Sequence, residues 1–471
     1  MPKNRFYVTT AIPYVNAAPH IGFALEIVQA DVLARYHRLI GDDTFFLTGT
    51  DENALKNVQS AEKAGVPVKE FVDDNSQRFE DLKGALNISF DDFIRTTEER
   101  HVKGAQKLWQ ACDPDDIYQK KYRGLYCVGC EQFYTEKELV DGKCPEHGTV
   151  PETVEEENYF FKLSKYQKQL EKLIESDELK IVPESRKNEV LSFIKSALED
   201  FSISRFKARA KGWGIPVPGD ENQVIYVWFD ALSNYINALD YADDGEKFKK
   251  YWLENPNRTH VIGKGILRFH AVYWPAMLLS AGLPLPTEIF VHGYLTVEGQ
   301  KISKSLGNVI DPFELVEKYG ADPLRYYLLA KFSPFEDGDF SEAKLRETYN
   351  SDLANGLGNL VSRIAKLAEG KEVFGHSVLV TKAGEFKENH RFDQALDILR
   401  SKISELDKYV NDQRPWEKSG DALEKNLDHL VSSLLNLTFA LEPFLPETAE
   451  TIRKQFSGKI KPASPLFPRL R

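Results

Sequence analysis

The hydrophobic pattern divides the chain into stretches of different texture. Arg5 to Thr10 is β-rich. Leu25, Val28, Val32, Tyr36 and Leu39 then recur at helical spacing until Gly41, and Thr44 to Thr48 reads as a second strand. Strand, helix and strand in that order predict a parallel sheet with ligands at the carboxyl ends of its strands. After Tyr118 the pattern changes to short strands and a charged stretch around Lys165 to Lys180, which reads as an insertion. The α/β pattern resumes at Gln223 to Phe229. It continues through His260 to Ile262, a helix from Ile266 to Ala281 and a strand from Glu288 to Leu295. Asp311-Pro312 and Asp322-Pro323 each read as a helix N-cap followed by proline at the first helical position. From Glu342 onward helical periodicity dominates, except in Val373 to Asn389, which reads as a loop-rich connection. The Pro- and Lys/Arg-rich end, Ser457 to Arg471, is expected to be poorly ordered.

The fold class is therefore α/β: a Rossmann-type parallel-sheet domain split by an insertion and followed by an all-α domain. At 471 residues the length suggests about three domains. A hydrophobic content of 42% is ordinary for a globular chain. The most apolar stretch, Trp274 to Pro286, is broken by Gly282 and Pro284 and is too short to span a bilayer. No leader pattern is visible near Met1, so a cytoplasmic address is expected. The net charge of −11 argues against a whole-surface nucleic-acid binder but leaves room for a local basic face.

Of four cysteines, Cys112 stands alone. Cys127, Cys130 and Cys144 cluster with His147 in a C-x2-C-x13-C-x2-H pattern, the spacing of two knuckles around a tetrahedral Zn²⁺. With four protein ligands the zinc would be structural. Two further stretches suit phosphate chemistry. Pro19-His20-Ile21-Gly22 places an imidazole at a helix start, where backbone N–H groups and the helix dipole favour phosphate. Lys301-Ile302-Ser303-Lys304-Ser305 offers two ammonium groups on a loop flanked by Gly299 and Gly307.

Taken as a pair, these two motifs resemble the signature of class I aminoacyl-tRNA synthetases. Further stretches make the chain similar to methionyl-tRNA synthetases along nearly its whole length: Tyr7 to Asn16, Leu47 to Glu52, Tyr122 to Cys127, Tyr226 to Ala231 and Arg268 to Pro275. The resemblance implies a ligase that activates L-methionine with ATP and transfers it to tRNA(Met), serving initiation and elongation. It implies domains at 1–117 and 220–297 (the two catalytic halves), 118–219 (the zinc-bearing insertion), 298–341 (the KMSKS-like loop and stem-contact region) and 342–471 (the anticodon-binding helices).

The same resemblance assigns roles. Ala11, Ile12, Tyr14, Trp228, Ala231, Tyr235, Phe269, His270 and Trp274 would surround the methionine side chain, and Asp51 would hold its ammonium. A soft thioether favours such an aromatic setting. His20, Lys301 and Lys304 would be catalytic. Together with Gly22, Phe23 and Gly263 they would bind ATP, accompanied by Mg²⁺. Asn359, Arg363 and Trp416 would read the anticodon. A monomer is implied, since no further C-terminal domain follows. The chain departs from the family in three places: Phe23 replaces a second histidine, Gly265 an aspartate, and Asn53-Ala54 a His-Gly pair. The alternatives are a synthetase for another amino acid and a non-catalytic tRNA-binding or methionine-sensing protein. Against the first, the insertion lacks the length of an editing domain. The second should bind ligand without exchanging pyrophosphate.

Overall fold

The structure, a computed structural model, describes residues 4–146, 148–302, 307–373 and 390–470. By internal contacts the chain forms two units. Residues 1–19, 40–81 and 90–292 make the first; residues 20–39, 82–89 and 293–471 make the second.

The first unit is built on six parallel strands: β1 (Arg5–Thr10), β2 (Asp43–Thr50), β3 (Asp92–Arg95), β4 (Lys180–Val182), β5 (Arg258–Gly263) and β6 (Glu288–His292). Their order is β3-β2-β1-β5-β6-β4. β1 pairs with both β2 and β5, so the order reverses there, and that reversal is where open α/β sheets bind ligands. Both central strands are buried almost end to end, which suits their near-continuous apolar and β-branched residues. The edge strand β4 comes from the stretch read as an insertion. At three residues it is too short to show a period in the sequence. An antiparallel sheet accompanies this core, with Ile117–Cys127 paired to Glu152–Phe161 over ten residues and flanked by Gln132–Tyr134 and Phe201–Ser202.

The helix read over Ile266 to Ala281 is present but irregular. A tight turn at Lys264–Ile266 leads to a wide-turn stretch at Phe269–Tyr273 and then an α-helix at Trp274–Ser280. Pro275 lacks the N–H that would bond the Ala271 carbonyl, which favours the wider turn before it. The strand read over Glu288 to Leu295 stops at His292.

The second unit contains α1 (Ile21–Leu39), a small sheet of Leu295–Val297, Gln300–Lys301 and Gly338–Phe340, and a set of helices. Gly293 opens it. A Cβ there would lie 2.0 Å from the Glu336 carbonyl oxygen, so the backbone turns at a position only glycine can fill. Asp311 caps its helix by accepting the Phe313 N–H at 2.7 Å, as read. Asp322 does not cap. Gly320, at φ +89°, lets the next helix begin at Ala321, and the Asp322 carboxylate instead accepts the Thr448 N–H at 2.7 Å. A helical run over 342–367 is followed by Phe392–Gln413, Gly420–Leu441 and Pro446–Gln455. The loop read at Val373 to Asn389 lies outside the described residues except for Val373. Residues 458–470 make defined contacts with the helical region, against expectation. Gly458–Lys459 pairs with Glu372–Val373, Phe467 packs edge-on to Tyr349, and the Leu470 N–H bonds Asn350 Oδ1 at 2.9 Å.

Candidate active site and metal centre

Of the residues assigned to the methionine side chain, the six that carry rings are linked in the first unit, Tyr14, Trp228 and Phe269 by ring contacts and Tyr235, His270 and Trp274 likewise. Ala11 and Ile12 follow β1, and Asp51 follows β2, joined to Tyr14 by a parallel bridge. Trp228 and Ala231 lie on the short helix Val227–Leu232, and Tyr235 on the turn after it. Trp228 stacks on Phe269, and Tyr14 meets the indole edge-on at 6.3 Å. Tyr235 touches both His270 and Trp274, with ring centroids 5.7 and 6.1 Å away. The i,i+4 pair therefore does share a face, despite the wide turn between them.

His270 is fixed in one neutral form. Its Nδ1 lies 2.9 Å from the Ile266 carbonyl, which can only accept, so Nδ1 carries the proton. Nε2 then accepts from the Tyr235 hydroxyl at 2.7 Å. Burial pushes this imidazole down to about 4, so it stays uncharged near neutral pH. The Tyr14 hydroxyl is buried with no partner among the described residues, leaving it available to a ligand.

Asp51 is 1% exposed. Burial raises its carboxyl well above the usual aspartate range, and the charges of Asp230, Glu131 and Glu52 push the same way. A buried acidic cluster of this kind favours a cation such as an ammonium group.

The phosphate-type residues fall in the second unit. His20 caps α1: its carbonyl accepts the Phe23 and Ala24 N–H groups, and its Nδ1 accepts the Gly22 N–H at 3.0 Å. A Cβ on Gly22 would sit 2.8 Å from His20 Cε1, so this ring position requires glycine. Burial lowers the His20 pKa. Phe23 is buried on α1. The Ile21 N–H donates to the Ile310 carbonyl at 3.0 Å, tying the start of α1 to the segment after the lysine loop. Lys301 ends an exposed strand; Lys304 lies outside the described residues. Gly263, in the first unit, ends β5.

Three of the four proposed metal ligands come together. The sulfur atoms of Cys127, Cys130 and Cys144 lie within 4.8 Å of one another, with Cys130 and Cys144 3.7 Å apart. Thiolates at about 2.3 Å from a tetrahedral ion sit about 3.8 Å from each other, so the cluster fits a Zn²⁺-sized ion. The Tyr134 hydroxyl lies 3.2 and 3.5 Å from two of the sulfurs. His147 lies outside the described residues. The knuckle also meets the aromatic set directly, because Trp228 Nε1 donates to the Cys130 carbonyl at 3.3 Å.

In the second unit, Asn359 and Arg363 lie on the helix Asn359–Leu367. Arg363 is held by Asp407 and by Asn411 at 2.7 Å. Trp416 stands on the single turn Pro415–Glu417 and is 56% exposed, which sets it apart from a core tryptophan.

Three groups beside the aromatic set escape sequence reading. Glu131 is buried, accepts the Lys56 N–H at 3.2 Å, and is raised to about 7 by burial. Arg205 is buried against the rings of Tyr126, Phe133 and Tyr226. His260 stacks on Tyr235 at 4.0 Å and bonds Thr9 Oγ1 at 2.8 Å. A charged residue adjoining a cysteine ligand, as Glu131 adjoins Cys130, is the one signal that could have pointed to any of them.

Residues 6–150 and 147–365 match the family described as tRNA synthetases class I (M). A Brucella suis methionine–tRNA ligase is 44% identical over 500 aligned positions, covering 99% of this chain and 96% of the relative. One from Clostridium acetobutylicum is 45% identical, covering 97% and 74%. A Mycobacterium tuberculosis methionyl-tRNA synthetase, solved with methionyl-adenylate, superimposes with a TM-score of 0.91 at 37% identity, covering 99% of this chain and all of that one. With the parallel-sheet core and the aromatic site already in place, these likenesses establish that the chain belongs to the class I tRNA synthetases, in the methionine–tRNA ligase family.

Proposed function

We infer that this chain is a methionine–tRNA ligase. It activates L-methionine with ATP, releasing pyrophosphate, and passes the methionyl group to tRNA. The observation that carries the reading is the aromatic set of Tyr14, Trp228, Tyr235, Phe269, His270 and Trp274 beside the buried carboxylate Asp51. An unbranched thioether suits the rings, and its ammonium suits the carboxylate. The methionine carboxylate itself attacks the α-phosphate, so no protein nucleophile is needed. The protein positions the reactants and stabilises developing charge. His20, Gly22, Phe23 and Gly263 would line the nucleotide, with Lys301 and Lys304 on the departing pyrophosphate. Mg²⁺ accompanying ATP would supply further charge neutralisation.

The proposal extends to the remaining assignments. Cys127, Cys130, Cys144 and His147 would hold one structural zinc. Residues 1–117 and 220–297 would form the catalytic domain, 118–219 the insertion, 298–341 the loop region and 342–471 the anticodon-binding domain. Asn359, Arg363 and Trp416 would meet the anticodon of tRNA(Met). Among the described residues no helix is long and apolar enough to cross a membrane. A monomeric cytoplasmic enzyme is the proposed state, checked by light scattering and cell fractionation. ATP–pyrophosphate exchange with each of the twenty amino acids tests the activity. Exchange with methionine supports the reading, and methionine binding without exchange favours a sensing protein.

A further inference from the structure

Asn53, where the family usually carries histidine, is joined to the acidic cluster around Asp51. Its backbone N–H reaches Asp51 Oδ1 at 3.3 Å. Its side-chain amide donates to Asp230 Oδ2 at 2.8 Å and to the Thr96 carbonyl at 3.1 Å, using both N–H bonds. Asp230 is fully buried, and its other oxygen is held by the equally buried His101 Nε2 at 2.6 Å. On the far side, Asn57 Nδ2 donates to the Asp51 carbonyl at 2.9 Å. We propose that Asn53 is a positioning residue for methionine binding: anchored to Asp230 and Thr96, it aims the Asp51 carboxylate at the amino acid's ammonium group.

The chemistry favours a carboxamide in this place. A neutral imidazole has one N–H, so it could serve Asp230 or Thr96 but not both. An ionised aspartate has none and would set a further negative charge against Asp230. Releasing Asn53 would free the turn that carries Asp51, and a loosely aimed carboxylate spends binding energy on being ordered. The departure from the family at this position thus bears on the amino acid rather than on ATP. The inference rests on the reading of Asp51 as the ammonium partner.

The test compares Asn53→Ala, Asn53→Asp and Asp51→Asn in pyrophosphate exchange. Both Asn53 variants should raise the methionine KM about tenfold, with the ATP KM and kcat within about twofold, because the hold on the ammonium is weakened equally in the ground state and the transition state. Inhibition by 4-(methylthio)butanoate, which is methionine without its ammonium, should be equal in wild type and Asn53→Ala. Weaker inhibition in that variant would mean a general loosening of the pocket and would overturn the proposal. Unchanged methionine KM in both Asn53 variants, with a raised one in Asp51→Asn, would overturn it and leave the Asp51 reading intact. Unchanged KM in Asp51→Asn would remove both.

Discussion

The Trp228 indole lies flat on the Phe269 ring, with centroids 3.8 Å apart and planes 6° from parallel. The two residues are far apart in sequence, on separate turns of the first unit. The indole N–H is tied to the Cys130 carbonyl, so the plate is held at its edge as well as its face. Trp228→Ala should raise the methionine KM about tenfold, or ~1.4 kcal/mol, through the loss of aromatic contact. The ATP KM should stay near wild type. Equal damage to both constants would mean that Trp228 only supports the fold.

Methionine binding should weaken on acidification sooner than an ordinary aspartate would dictate. The ammonium binds ionised Asp51, and protonation competes with it. Burial, then Asp230 and Glu131, raise the Asp51 pKa. The loss of affinity as pH falls should therefore begin well above the usual range near 4. Calorimetric titration of methionine across pH checks this. A constant affinity down to about pH 4.5 would show Asp51 ionised throughout.

Much of this arrangement was legible in the sequence, for physical reasons. β1, α1 and β2 declare themselves because short β-branched runs and a long helix with apolar residues at helical spacing are distinct over enough residues. The cysteine knuckle was legible as residue types at a telling spacing, whereas the aromatic set was legible only through the resemblance. What sequence did not reveal depends on tertiary partners. Asp322 looks like an N-cap until Gly320 moves the helix start, and the Thr448 N–H lies far along the chain. Asn53 looks like a loss until Asp230 and Thr96 appear beside it. The terminal stretch reads as disordered because its Pro and Lys/Arg content hides Phe467, which Tyr349 covers.

Cys130→Ser should lose the metal. Wild-type protein should carry about one zinc per chain, as one four-ligand site requires, and the variant far less. Because Cys130 also braces Trp228, the methionine KM of the variant should rise along with the loss of metal. Elemental analysis and exchange kinetics on the same preparations check both. Stoichiometric zinc in the variant would refute Cys130 as a ligand.

Trp416→Ala should separate the two halves of the reaction. Trp416 belongs to the second unit and the aromatic pocket to the first. A lost base stack costs about 1–3 kcal/mol, so aminoacylation of tRNA(Met) should fall roughly tenfold to a hundredfold. Methionine-dependent pyrophosphate exchange should stay near wild type. A parallel fall in both reactions would identify Trp416 as a structural residue instead.

The measurement that bears most directly on the central claim is pyrophosphate exchange by the wild-type chain with methionine, leucine and cysteine in parallel. Methionine should drive rapid exchange while the other two stay near background, because the site offers aromatic rings and a buried carboxylate to an unbranched thioether. Exchange driven equally by leucine, or no exchange with any amino acid, would contradict the account.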